Sequence, residues 1–312
     1  MDELYPAYLN LLETDQLADR VREAYVHLSI CDVCPWECQV DRKMGKLGVC
    51  RTGVLAKISS YGPHFGEETP LSGTRGSGTI FFTRCNMRCQ YCQNHDISQT
   101  DHGDEVEPEI IASMMLDLQK RGCHNINFVS PSHVIPQILA SVLVAARAGL
   151  NIPLVYNTGG YDSVPMLKLL DGVFDIYMPD MKYSDADIAH RYSRIHNYPQ
   201  INRRAVKEMH RQVGDLEVDN DGIARRGLII RHLVLPNNLA GSDEIITYLS
   251  EEISPQSYLN IMDQYHPAYH ADRYPELDRR ISSREYQSVV DAAISAGMTN
   301  LDQRSPKFFA FI

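Results

Sequence analysis

Residues 125–158 read NINFVSPSHVIPQILASVLVAARAGLNIPLVYNT, and the fold follows from how this stretch divides. Residues 125–130 and 152–158 are short, apolar, β-rich runs, while 135–149 spaces its apolar side chains as a helix does and ends on glycine. Two strands separated by a helix run parallel, because the helix carries the chain back to the starting edge of the sheet. The same alternation extends in both directions. TIFFT (79–83) precedes it, and FDIYMPD (174–180), GLIIRHLVLP (227–236) and YLNIMDQY (258–265) follow. Helical patterns lie between them in PEIIASMMLDLQKRG, SVPMLKLLDG, NRRAVKEMHRQVGD and SDEIITYLSEEI, with SREYQSVVDAAISAG after the sixth strand. Six such units predict an α/β fold, a partial (β/α)6 TIM-like barrel, whose working groups gather beyond the carboxyl ends of the strands. The expected division is an N-terminal helix with a cysteine-rich metal-binding extension over 1–74 and a barrel domain over 75–312.

A chain of 312 residues accommodates one barrel and an appendage. With 44% hydrophobic and 22% charged residues it has the composition of a globular protein rather than a disordered one. A net charge of −10 without a lysine- or arginine-dense block argues against a phosphate-driven grip on nucleic acid. The opening MDELYPAYLNLLETDQLADRVREAYVHL carries acids throughout and no basic segment leading into an apolar run, so it reads as an amphipathic helix, not a signal peptide. The most apolar stretch, 138–150, contains Arg147 and is too short to cross a bilayer core of about 30 Å. A soluble, cytoplasmic protein with no membrane partner is expected.

Eight cysteines in such a chain point to metal rather than disulfides. Cys123 stands alone and reads as a small buried hydrophobe. Cys31, Cys34, Cys38 and Cys50, with Pro35, Gly45 and Gly48 supplying turns, can close a four-thiolate site for tetrahedral zinc or for an auxiliary iron–sulfur cluster. The second set lies in TRCNMRCQYCQNH (83–95), directly after the first strand. Cys85, Cys89 and Cys92 can bind three irons of a cubane and leave the fourth iron open to a ligand, or can hold zinc together with His95.

The Cys-x3-Cys-x2-Cys spacing, with Tyr91 before the last cysteine, resembles the signature of the radical S-adenosylmethionine (radical SAM) superfamily. The resemblance implies a 4Fe–4S cluster whose open iron is chelated by the amino and carboxylate groups of SAM. An electron from the cluster then breaks a sulfonium C–S bond, and the resulting 5'-deoxyadenosyl radical abstracts hydrogen from a substrate. MPDMKY (178–183) resembles the fourth-strand motif of glycyl-radical enzyme activases, which implies SAM-placing roles for Met178, Asp180 and Lys182. YNTGGY (156–161) resembles their Asp-Thr-Asn-Gly cation loop, but Asn157, beside Thr158, stands where the family has aspartate, so the site lacks one charge. RHLVLP (231–236) matches their arginine-bearing strand and makes Arg231 a partner for the SAM carboxylate, with Leu233 and Val234 beside the adenine. A charge in so apolar a strand also predicts an internal ion pair with Asp180 or another strand-end carboxylate. Many members carry Gly-Gly-Glu after the second strand to receive the SAM amino group; this chain has FVSPSHVIP, leaving Ser130, Ser132 and His133 as polar candidates.

Together these motifs span 66–267 and, with the N-terminal Cys-x2-Cys-Pro, resemble the iron–sulfur homologues of pyruvate formate-lyase activating enzyme. That implies a radical SAM oxidoreductase supplied by an electron donor such as flavodoxin or ferredoxin, acting on a protein glycine or on another substrate. The competing expectation is a non-catalytic iron–sulfur electron carrier or zinc-stabilised scaffold. His64, Glu67 and Glu68, before the first strand, and His266 and His270, after the sixth, are further candidates to line the site or to sit in ordinary turns.

Overall fold

In the computed structural model, which describes residues 5–302, nine strands form in chain order. They are β1 (Ala56–His64), β2 (Ser77–Phe82), β3 (Asp104–Val106), β4 (Ile126–Val129), β5 (Leu154–Thr158), β6 (Ile176–Pro179), β7 (Glu217–Val218), β8 (Ala224–Leu233) and β9 (Tyr258–Met262). The six apolar runs become β2, β4, β5, β6, β8 and β9, which pair in that order and all in parallel. Helices Pro108–Lys120, Ile135–Arg147, Val164–Leu169 and Tyr198–Val213 return the chain between them. β1 adds antiparallel to β2 and β3 antiparallel to β1, so the sheet runs on past its first parallel strand. Among the described residues no pairing joins β9 back to β2 or its neighbours, so the barrel is open.

Strand periodicity sorts the side chains into two layers. Ile80, Phe82, Ile126, Phe128, Leu154, Tyr156, Tyr177, Leu228 and Ile230 belong to the large core that includes the surrounding helices. The alternate positions Val155, Ile176, Met178, Ile229 and Tyr258 form a separate cluster inside the curve of the sheet with Leu71. One period further along the same inner rows come Asn157, Asp180, Arg231 and Asn260. The inner face therefore changes from apolar to polar at the carboxyl ends of the strands.

The N-terminal segment differs from the single helix expected. Helices Tyr8–Glu13 and Gln16–Val26 are separated where Thr14 Oγ1 donates to the Asn10 carbonyl (2.9 Å) and Asp15 adopts a left-handed backbone, φ 56°. A side-chain bond to the preceding turn and a residue outside the right-handed region end a helix for local reasons that amphipathic spacing does not register. Residues 1–4 of that expectation lie outside the described residues. Among the described residues no helix is long and apolar enough to cross a membrane.

Candidate active site

The loop after β2 is held from several sides. Trp36 Nε1 donates to the Asn86 carbonyl (2.6 Å), and Asn86 Nδ2 donates to the Tyr161 carbonyl (2.7 Å). The Arg88 and Gln90 amides donate to the carbonyls of Ser193 and Tyr192, at the end of helix Ala186–Ser193. Gly159 is needed where the loop after β5 meets this one, since a Cβ there would stand 2.6 Å from Met87 Sδ. Gly160 has φ 76°, and a Cβ on it would meet the Asp180 carbonyl oxygen at 2.2 Å.

Each thiol of this loop has a donor or hydroxyl near its sulfur. The Met87 amide donates to Cys85 Sγ (3.3 Å), Ser193 Oγ donates to Cys89 Sγ (3.0 Å), and Ser98 Oγ lies 3.1 Å from Cys92 Sγ. Burial pushes the Cys85 thiol up to about 12 and the Cys89 thiol up to about 11. Thiolates in this loop therefore require a compensating cation, the condition a metal centre supplies. All eight cysteines are free of disulfides. Among the described residues no three histidine, cysteine or acidic side chains converge on one point as ligands of a single ion do. His95, the fourth ligand of the zinc alternative, stacks on Tyr269 with ring centroids 5.1 Å apart.

The charged groups converge beside this loop. Arg231 Nε donates to Asp180 Oδ1 (2.9 Å), and Lys182 Nζ donates to Asp180 Oδ2 (2.6 Å). Arg231 Nη2 donates to Asn157 Oδ1 (2.7 Å), and Arg231 Nη1 stands 3.8 Å from Glu67 Oε2. The ion pair expected of Arg231 is thus with Asp180. Burial alone would raise the Asp180 carboxyl, but Arg231 and Lys182 overcome it and hold the group below its usual range. Burial would lower Lys182, and Asp180, helped by Cys89, raises it instead. Lys182 therefore stays charged next to the cysteine loop. Burial raises the Glu67 carboxyl against the opposing pull of Arg231.

The remaining predicted residues are placed differently. Ser132 Oγ lies 3.0 Å from Thr158 Oγ1, which donates to Asp162 Oδ2 (2.7 Å), while Tyr156 OH donates to Asp162 Oδ1 (2.9 Å). This buried knot anchors the loop after β5. Ser130 takes a left-handed backbone, φ 59°, and its amide donates to the Asn157 carbonyl. His133 is buried, and that burial, with Arg42 nearby, lowers its pKa to about 3, so the ring is neutral. Met178 packs in the inner apolar cluster. Tyr91 is buried and accepts a hydrogen bond from Tyr183 OH (2.6 Å).

Two asparagines, Asn260 and Asn127, extend the inner row of polar groups without having been singled out in the sequence. Glu68 Oε1 accepts from Asn260 Nδ2 (2.7 Å), linking the loop before β2 to β9. Asn127 is fully buried on β4, with neither side-chain amide atom bonded to protein, a setting for an ordered water. A cleft of about 700 Å³ runs from Phe65 and Glu67 past Arg231 and Asn260 to Gln93 and His266. His270 lies instead on the other side of the cysteine loop, its amide bonded to the Gln90 carbonyl.

The four cysteines of the first set are neighbours, without converging on one point as ligands of a single ion do. The Cys34 thiol is raised by burial and further by Cys50, Cys31 and Cys38, so all four lie within electrostatic reach of one another. Gly48 permits this proximity, since a Cβ there would meet Cys38 Sγ at 2.7 Å. Buried Arg42 bonds the Gly53 carbonyl within the extension (2.9 Å) and ties the segment to the barrel through the His133 carbonyl (2.9 Å).

The chain is similar to known proteins in sequence and in fold. A sequence model described as Radical SAM superfamily matches residues 79–248. A Methanocaldococcus jannaschii protein described as uncharacterized is 33% identical over 273 residues, covering 84% of this chain and 74% of its own. Among solved structures, SuiB of Streptococcus suis bound to its precursor peptide SuiA superposes with a TM-score of 0.48 at 10% identity, over 70% of this chain and 46% of that one. The FeFe-hydrogenase maturase HydG of Carboxydothermus hydrogenoformans gives 0.47 at 11% identity, over 70% and 50%. The chain spans about half the length of these solved structures.

Proposed function

Because the chain belongs to the radical SAM superfamily, we propose that it is an enzyme that holds a 4Fe–4S cluster on Cys85, Cys89 and Cys92. It binds SAM across the strand ends and uses it to abstract hydrogen from a substrate. The observation that carries this reading is the buried Lys182–Asp180–Arg231–Asn157 network beside the three-cysteine loop. The cluster, when bound, supplies the electron that cleaves SAM to a 5'-deoxyadenosyl radical. Lys182 and Arg231 keep two positive charges in a buried setting and are suited to a ligand carboxylate. Asp180 orients both cations from between them. Met87, Tyr91 and Tyr183 line the inner side of the cysteine loop with buried, closely packed groups that exclude water.

The 700 Å³ cleft is of the size that small-molecule sites occupy and leads outward from Arg231, so it is the route for substrate. The activase-like form of the reading, with a glycine of a partner protein as substrate, rests on the motif resemblance over 66–267. An electron donor such as flavodoxin or ferredoxin belongs to the same reading, as does zinc or a second cluster at Cys31, Cys34, Cys38 and Cys50.

The test is anaerobic reconstitution with iron and sulfide, reduction, addition of SAM and assay for 5'-deoxyadenosine. The product is expected from the natural chain and not from Cys85→Ala/Cys89→Ala/Cys92→Ala. Failure of an iron-loaded, reduced chain to bind SAM overturns the assignment.

A further inference from the structure

The two cysteine loops meet around a second cavity, of about 300 Å³, whose lining shares no residue with the substrate cleft. Cys50 of the first set and Cys85 of the second both line it, together with Arg51, Arg84, Arg88 and Arg194. Arg84 is buried and paired with Asp101, its Nε 2.9 Å from Oδ1. The other three are exposed and form no ion pair among the described residues. Their hydrogen-bond partners are neutral: Arg51 donates to the Gln99 carbonyl (3.2 Å), Arg88 to the Val49 carbonyl (2.8 Å) and Arg194 to Tyr274 OH (3.0 Å). Among the described residues no carboxylate lines the cavity. Three uncompensated guanidinium groups are thus gathered at one opening of a chain whose net charge is −10.

We propose that this arginine-rimmed cavity is the docking surface for an acidic one-electron donor protein, which delivers its electron to the cluster on the Cys85 loop. The proposal rests on the functional reading above and adds the place and chemistry of electron entry. Charge complementarity argues for the occupant. A chain this acidic repels another acidic protein over most of its surface, and a local arginine group both overcomes that repulsion and fixes where the encounter occurs. Redox encounters are among the smallest protein interfaces and depend on such steering more than on buried area. Position argues for the task, since the cavity wall includes Cys85 itself. One electron leaves the donor, which is oxidised, and enters the cluster, which is reduced; no atom or proton moves with it.

The experiment uses the reconstituted full-length protein and an acidic plant-type ferredoxin as probe. Binding of oxidised ferredoxin is measured by calorimetry at low and high salt, and cluster reduction by reduced ferredoxin is followed by stopped-flow absorbance. The variants are Arg51→Glu/Arg88→Glu/Arg194→Glu and Arg51→Lys/Arg88→Lys/Arg194→Lys, each checked for iron content. Reduced methyl viologen, a small cationic donor, is the reference reductant. The glutamate variant is expected to lose about tenfold or more in affinity and in ferredoxin-driven rate at low salt. Reduction by viologen stays as in the natural chain, and the lysine variant restores both losses. Ferredoxin binding that ignores salt and the glutamate substitutions overturns the docking surface. So does a loss that the lysine variant fails to repair, because that identifies a role for the arginine hydrogen bonds rather than for charge. A cluster reduced at the natural rate that yields no bound or cleaved SAM overturns the functional reading and leaves the docking surface standing.

Discussion

Arg231 shows how one side chain ties stability to function. It follows the apolar run 228–230 of β8, and its guanidinium answers Asp180, Asn157 and Glu67 together. Replacing it by methionine removes the charge while roughly preserving the bulk, leaving Asp180 with Lys182 as its remaining cation and Glu67 without its nearby guanidinium. Breaking a buried pair from one side costs about 3–5 kcal/mol. Denaturant titration of Arg231→Met should show a loss of that order, and a change below about 1 kcal/mol would mean the network is solvated. Asp175 offers a test with a definite sign. Its carboxylate accepts from the Ala7 amide (2.9 Å) and lies near the Leu154 amide (3.4 Å), and burial raises it to about 6. An unfolded aspartate titrates near 3.9, so the folded state binds this proton more tightly. The resulting stabilisation is fully present below about pH 4 and is lost as pH rises through about 6. Asp175→Asn keeps an acceptor and removes the titration. Relative to the natural chain it should therefore gain about 3 kcal/mol between pH 4 and pH 7, at about 1.4 kcal/mol per pKa unit. A difference that stays flat with pH would show that Asp175 titrates alike in both states.

At the scale of elements, the contact that matters most for the site is between two loops. Trp36 lies two residues after Cys34, packs edge-on to Tyr161 with centroids 6.4 Å apart, and donates to Asn86 between Cys85 and Cys89. Arg88 reaches back to the Val49 carbonyl beside Cys50. Trp36→Phe keeps the ring packing and strands the Asn86 carbonyl, a loss of about 1–3 kcal/mol to the geometry of the cysteine loop. Iron retained per chain after gel filtration should fall in this variant, while far-ultraviolet circular dichroism should not change; unaltered iron retention would show that the two loops are independent. The parallel strands were legible because residues such as Phe128, Val155 and Ile229 are buried on both faces of the sheet and produce unbroken apolar runs. β1, β3 and β7 were not. β1 carries Lys57, Ser59, Ser60, Gly62 and Pro63, β3 is largely exposed, and β7 has two exposed residues. β3 and β7 are edge strands, and β1 is covered on its outer side by β3 only over 56–58, so all three carry the polar or interrupted sequences that erase the signal that finds central strands. The cysteine loop was legible for the opposite reason, its ligands being local in sequence. Glu68 was legible as a candidate, but its bond to Asn260, 192 residues away, was not.

For the whole molecule, the open sheet sets what a ligand must do. β2 and β9 are the two end strands of the parallel array, and among the described residues no ladder joins them, so the cysteine loop and the Lys182–Arg231 network are connected through β4, β5 and β6. A ligand that reaches from the cluster to Lys182 and Arg231 adds a link between the cysteine loop and β8 to the loop contacts through Tyr161, Tyr183 and Ser193. Its binding free energy then appears as stability of the entire fold, about 2.7 kcal/mol at a hundredfold excess over Kd. For a chain somewhat longer than 250 residues, where each kcal/mol moves the melting temperature by about 2–4 °C or slightly less, SAM should raise Tm by roughly 5 °C in the iron-loaded protein. Differential scanning fluorimetry without oxygen can compare this with Cys85→Ala/Cys89→Ala/Cys92→Ala. In that variant the rise should vanish, since the charged network alone holds one end of the ligand. An equal rise in both proteins would place SAM on Lys182 and Arg231 without the cluster, and would separate ligand binding from the cysteine loop that the fold brings beside them.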